Sequence, residues 1–164
     1  MDGLVDIAKL LSDNEANINW RYTGPFDKTK QRIRGDNLLH LAAKTGKVDK
    51  FLSIFKKSVE SNVHLLEYNK DHENPFHIAA EVGILPSVVK GIFKHLESEK
   101  TNPNCDPEKL ENVKNYVKEA LCNRCALDQS KKTPLDWVSK TVKKEIAGIK
   151  DSFICTRSFA YAYI

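Results

Sequence analysis

The clearest helical period in the chain is Leu85, Val88, Val89, Ile92, Phe93 and Leu96, apolar residues spaced i, i+3, i+4, i+7, i+8 and i+11. That spacing lays a single apolar stripe along one side of an α-helix. Val48, Phe51, Leu52, Phe55 and Val59 make a second stripe of the same kind. A shorter apolar segment precedes each stripe: Leu39, Leu41, Ala42 and Ala43 in one case, Phe76, Ile78, Ala79 and Ala80 in the other. Gly46 and Gly83 stand between the short and long segments, where a positive φ would turn the chain back. The pattern predicts two hairpins, each a short helix followed by a longer antiparallel one. Three further segments extend it. Asp106 reads as a cap, Pro107 as a first helical residue, and Leu110, Val113, Val117 and Leu121 as the apolar face of a helix over 106–121. Leu4, Ile7, Ala8 and Leu11, followed by Ala16 to Asn19, look like the second helix and exit of an incomplete N-terminal unit. Thr133 starts a helix whose partner is Val142 to Ile149.

The hairpins repeat residue by residue. Gly35-Asp-Asn-Leu-Leu-His-Leu-Ala-Ala-Lys-Thr-Gly46 recurs as Glu73-Asn-Pro-Phe-His-Ile-Ala-Ala-Glu-Val-Gly83, with a third echo in Lys132-Thr-Pro-Leu-Asp-Trp-Val138. Asn74 and Thr133 are placed to cap the short helices, and Pro75 and Pro134 follow where a missing N–H costs nothing. Asn37 fills the capping role in the first copy, with Leu38 in place of proline. These strings resemble the Thr-Pro-Leu-His-x-Ala signature of the ankyrin repeat, a β-turn finger and two short helices over about 33 residues.

The resemblance implies an all-α, ankyrin-repeat solenoid of stacked helix-turn-helix units with one inserted helix. It divides the chain into a repeat domain at 1–152 and a tail or linker at 153–164. Within the domain it places a partial first repeat at 1–34 and repeats at about 35–71, 72–129 and 130–152, the inserted helix 106–121 falling in the second of these. His40 and His77 stand 37 residues apart, while His77 and Asp136 stand 59 apart, so the inserted helix accounts for the longer period. The expected place for that helix is the convex side or the helical edge of the stack. A second insertion, Trp20 to Arg34, replaces a short finger with a long loop bearing arginines and aromatics. Such loops on rigid scaffolds are disproportionately functional.

Composition narrows the functional classes. At 164 residues, 41% hydrophobic and 29% charged, the chain is ordinary for one soluble globular domain. No apolar run approaches the roughly 18 residues that cross a bilayer. Met1 to Lys9 has no basic region ahead of an uninterrupted apolar stretch, so no secretory signal peptide is expected. Four cysteines (Cys105, Cys122, Cys125 and Cys155) are sparse for a disulfide framework and point to a reduced, intracellular, cytoplasmic setting. The net charge of +4 is uneven. Arg21, Lys28, Lys30, Arg32 and Arg34 face only Asp27, and six lysines between Ser130 and Lys150 face only Asp136 and Glu145.

Candidate chemistry is thin. His40 and His77 occupy matching repeat positions; one imidazole per repeat gives no convergent cluster, so they are expected to tie fingers to helices by hydrogen bonds. Cys122-Asn-Arg-Cys125 has a zinc or redox spacing but needs further ligands, with Cys105 or His95 as the candidates. No nucleophile elbow, phosphate loop or zinc-protease string occurs, and no nucleic-acid-binding signature accompanies the basic stretches. Trp137 is expected to pack in the core.

The ankyrin resemblance implies a non-enzymatic protein–protein interaction module without cofactor or metal, which grips a protein partner by its finger loops and first-helix faces. The first finger offers Trp20, Arg21, Tyr22, Arg32 and Arg34; the second Tyr68, Lys70, Asp71 and His72; the third Asp128, Gln129, Lys131 and Lys132; Lys44 and Glu81 face the groove. The basic flanking fingers favour an acidic partner surface, with nucleic acid and membrane as lesser alternatives and a monomer as the favoured state. Two other readings stand beside this one: a regulatory or targeting domain of a larger enzyme, and a microbial effector delivered into a host cell.

Overall fold

The computed structural model describes residues 21–24, 35–61, 66–122 and 131–148. Among them the chain is all helical: α1 (Leu38–Lys44), α2 (Val48–Glu60), α3 (Pro75–Glu81), α4 (Leu85–Lys100), α5 (Pro107–Cys122), a 3₁₀ helix (Pro134–Trp137) and α6 (Lys140–Ala147). The incomplete N-terminal unit (4–19), most of the first loop and the tail (153–164) lie outside the described residues.

Caps set the starts. The Asn37 side-chain oxygen accepts from Leu39 N–H (3.0 Å) and His40 N–H (3.1 Å), and Asn74 does the same for Phe76 (3.0 Å) and His77 (3.3 Å). Each bond satisfies a donor that the helix itself leaves orphaned. Gly46 and Gly83 take φ of 66° and 79°, and the chain reverses into the long helices there. The fingers share a backbone mark two residues before each cap: Gly35, His72 and Lys131 all sit in the left-handed region, at φ 89°, 59° and 60°. At Gly35 the demand is also steric, because an added Cβ would meet the Asn69 Cα at 3.3 Å.

The packing is two parallel rows. Short helices stack on short ones, α1 on α3 and α3 on the 3₁₀ helix. Long helices stack on long ones, α2 on α4 and α4 on α6. Ala42, Ala43 and Ala79 are fully buried and Ala80 nearly so, which lets neighbouring short helices approach closely. Phe51 and Phe76 join the rows with ring centroids 6.0 Å apart. The α4 stripe is buried throughout, as its period predicts. On α2 the buried set is Phe51, Ile54, Phe55 and Ser58, whereas Val48, Leu52 and Val59 are only half-buried. Packed between α1 and α4, this helix turns Ile54 inward as well, so one narrow stripe describes it incompletely.

The inserted helix starts as expected, with Asp106 accepting from Glu108 N–H at 2.9 Å. It packs on α4 and the 3₁₀ helix, and near its end the Ala120 carbonyl accepts from Asn74 Nδ2 at 2.7 Å. Tyr116 adds a hydrogen bond to the Leu66 backbone. Its C-terminal end thus lies beside the start of α3.

The last unit departs most from the expectation. Its short helix is four residues of 3₁₀, and Val138 is already extended. Val138 and Ser139 stand where the earlier copies have paired alanines, and Ser139 instead caps α6 by accepting from Val142 N–H at 3.3 Å. That second cap stops the first helix from continuing.

Asn74 therefore holds a helix start and the inserted helix together. Asn74→Ala removes the cap and leaves the buried Ala120 carbonyl without this donor, a loss of about 2–3 kcal/mol in urea unfolding. A loss below about 0.5 kcal/mol would mean that α5 is seated by its apolar face alone.

Candidate functional site

The two repeat histidines are structural bridges. Asn37 N–H donates to His40 Nδ1 at 3.2 Å, and His40 Nε2 lies 2.9 Å from the Glu73 carbonyl oxygen. A carbonyl only accepts, so Nε2 carries the proton and Nδ1 receives. His77 repeats the arrangement, with Asn74 N–H on Nδ1 (3.1 Å) and Nε2 donating to the Lys132 carbonyl (3.1 Å). Each imidazole thus links its own cap to the residue just before the next cap. Burial, foremost, pushes His40 down to about 4, against the opposing pull of the Asp36 carboxylate and the Glu73 carbonyl. It is neutral at pH 7, and both nitrogens are committed to backbone.

The finger edge is built outward from these bridges. Tyr22 N–H donates to the Asp36 carbonyl and Gly35 N–H to the Tyr22 carbonyl, both at 2.7 Å, closing the base of the first finger. Behind it the fully buried Asp36 carboxylate receives Lys44 Nζ at 2.5 Å and Asn69 Nδ2 at 3.1 Å. Asn69 also folds the second finger, its side-chain oxygen accepting from Asp71 N–H and Glu73 N–H at 3.0 Å each. Burial raises the Glu73 carboxyl pKa, helped by the Asp71 and Glu81 carboxylates and opposed by the Asn69 amide. In the third unit, burial pushes against ionisation of Asp136; bonds from Thr133 N–H and Oγ1 (2.9 Å each) and from Lys143 (3.4 Å) outweigh it and hold the pKa low.

Against this frame the sequence-derived contact residues divide. Lys70, His72, Glu81, Lys131 and Lys132 are exposed on the fingers and the end of α3. Tyr22, Tyr68 and Asp71 are half-buried along the same edge. Arg21 is engaged structurally, ion-paired with Glu67 and directed at the Gly35 carbonyl (3.5 Å). Lys44 is also a structural group; its ammonium neutralises Asp36. Trp20, Arg32, Arg34, Asp128 and Gln129 lie outside the described residues.

Trp137 corrects an expectation. It stands four residues past its cap, where Leu41 and Ile78 are buried, yet it is 45% exposed with Lys132 Nζ 4.9 Å from its ring centroid. The geometry of the short helix explains this. Three residues per turn instead of 3.6 adds roughly 20° per residue, so four steps swing the side chain about 80° out of the seam. The warning in the sequence was the loss of the alanine pair. The cysteine reading also changes. Cys105 lies two residues before α5 and Cys122 is its last residue, at opposite ends of a 16-residue helix about 24 Å long, so they cannot share a metal ion. Among the described residues no group of three His, Cys, Asp or Glu side chains could hold one, and no helix is long and apolar enough to cross a membrane. Cys125 lies outside the described residues.

Comparison with known proteins finds no matching family model, no matching curated protein and no matching solved structure.

Two outcomes follow from the bridges and the buried pair. Folding lowers the His40 pKa from 6.5 to about 4, so the unfolded chain takes up the proton first. Its contribution to stability is complete above about pH 6.5 and is lost as pH falls toward 4, on the order of 3 kcal/mol in all. Urea unfolding of His40→Gln shows a shallower pH slope across this window; an unaltered slope would place the acid sensitivity on another group. Lys44→Ala strands the Asp36 carboxylate and lowers stability by about 3 kcal/mol. An unshifted melting temperature with weakened partner binding would return Lys44 to the binding face.

Proposed function

We propose that the chain is an ankyrin-like, non-catalytic module that binds a protein partner through its finger edge and the exposed ends of its short helices. The observation that carries this reading is the paired bridge at 2.9 Å and 3.1 Å, by which His40 and His77 lock each unit to the start of the next. Units joined this way form a rigid row whose loop tips repeat at fixed intervals, and a preordered surface loses little conformational entropy on binding. The bridges also commit both nitrogens of each ring to structure, which favours binding over acid–base chemistry. Exposed Lys70, Lys131 and Lys132 give the edge a basic rim suited to an acidic partner surface.

The test compares charge reversals on the edge with one placed elsewhere. For a partner identified by capture and repurified, Lys70→Glu with His72→Glu, and Lys131→Glu with Lys132→Glu, each weaken binding at least about tenfold. The melting temperature stays within about 2 °C, since surface changes alter stability little. Lys57→Glu, on the exposed side of α2, leaves binding unaltered. Loss of binding on α2 alone, with both finger variants unaffected, would overturn the reading.

A further inference from the structure

The third unit differs chemically from the two before it. The residue preceding each cap is Asp36 in the first unit, fully buried, and Glu73 in the second, half-buried. In the third it is Lys132, exposed and lying over the exposed Trp137 ring. Its neighbour Lys131 holds φ 60°, the conformation that Gly35 and His72 take in the earlier fingers. Lys140 and Lys144 lie one turn apart on α6, Lys140 as its first residue and Lys144 in its last turn, both exposed. From 131 to 148 there are five lysines against Asp136 and Glu145, and the Asp136 carboxylate is already covered by Thr133 and Lys143.

We propose that this unit is a cationic–aromatic dock for an acidic peptide segment carrying an apolar anchor, with Trp137 and the overlying Lys132 as the contact surface and Lys131, Lys140 and Lys144 as the further cations of the unit. The inference rests on the protein-binding reading and gives that reading a partner class and a location. An exposed indole provides a large, rigid apolar area at small entropic loss, and tryptophan is a leading residue type at binding hot spots. The lysines supply long-range attraction for carboxylates and a penalty against cationic partners. The two parts select jointly: carboxylates without an anchor gain no indole contact, and an anchor without carboxylates gains no steering.

The test uses the full chain with Trp20→Phe, so that Trp137 alone reports by emission. Three synthetic twelve-residue probes are titrated: glutamates flanking a central leucine, the same peptide with glycine at the centre, and the leucine peptide with lysines throughout. The acidic leucine peptide is expected to bind with Kd below about 100 μM and to weaken as salt rises. The glycine and lysine probes bind at least tenfold more weakly. Trp137→Ala and the Lys132→Glu, Lys140→Glu pair each weaken the acidic leucine peptide tenfold or more with unshifted melting, binding being followed by calorimetry where the indole is removed. Equal binding of the acidic and lysine probes, or full affinity in Trp137→Ala, would overturn the proposal. So would an indole shielded from acrylamide before any peptide is added, because another segment or a second copy would then hold this face. A natural partner that requires Lys70 and His72 yet ignores these probes and the third-unit variants would sink the dock and leave the protein-binding reading standing.

Discussion

The imidazole of His40 has to satisfy two backbone groups at once, and they belong to different units. Its Nδ1 takes the N–H of its own cap residue, and its Nε2 donates to a carbonyl thirty-three residues further along. Neither group could be left unpaired in so dry a place without losing about 1–3 kcal/mol. The geometry therefore fixes the distance between one short helix and the start of the next. With that distance fixed, the small residues Ala42, Ala43 and Ala79 can close the seam, and larger side chains on the long helices can fill the second row. The same bond pattern at His77 extends the constraint to the third unit, even though that unit's own helix is only a single 3₁₀ turn.

What lies outside the seam is set by polar groups that the seam cannot accommodate. Asp36 is buried because Lys44 and Asn69 take both of its oxygens, and Asn69 in turn shapes the second finger. Arg21 and Glu67 tie the first finger to the segment before the second. The edge is thus a connected polar lattice, and its exposed members stand on a base that does not have to be ordered on contact. The inserted helix belongs to this lattice as well, since Tyr116 and Ala120 fasten it to Leu66 and Asn74.

Much of this was legible in the sequence, where local chemistry decides. Asparagine before a short apolar run, histidine three residues later, and glycine nine residues after the cap are signals within a single unit, and each appears in the structure at the expected place. The α4 stripe was readable for the same reason: its period and its burial agree. Residues whose roles depend on a neighbouring unit were less legible. Lys44 looks like any surface lysine until Asp36 is seen buried beside it. Ile54 falls off the stripe until α2 is found packed between α1 and α4. Trp137 was misplaced because a substitution beyond it, Val138 and Ser139 for two alanines, changes the pitch of the helix that carries it. Arg21 reads as a basic loop residue, and only the fold brings Glu67 within reach.

The third unit keeps its junction with the second although its chemistry differs. In a linear row each unit is stabilised mainly by its interfaces with its immediate neighbours, and the third unit shares one with the second. Here that interface is supplied by the His77 bridge, by Leu135 and by Ile146, all buried against the second unit and its helices. In this unit Val138 and Ser139 replace the small, apolar pair that Ala42 and Ala43 form in the first. A short helix of 3₁₀ pitch can then turn an indole outward, and a lysine can replace the buried acid before the cap, with no bridge broken. The constraint is local and physical: the face that meets the second unit must match it, and Trp137 stands outside that face.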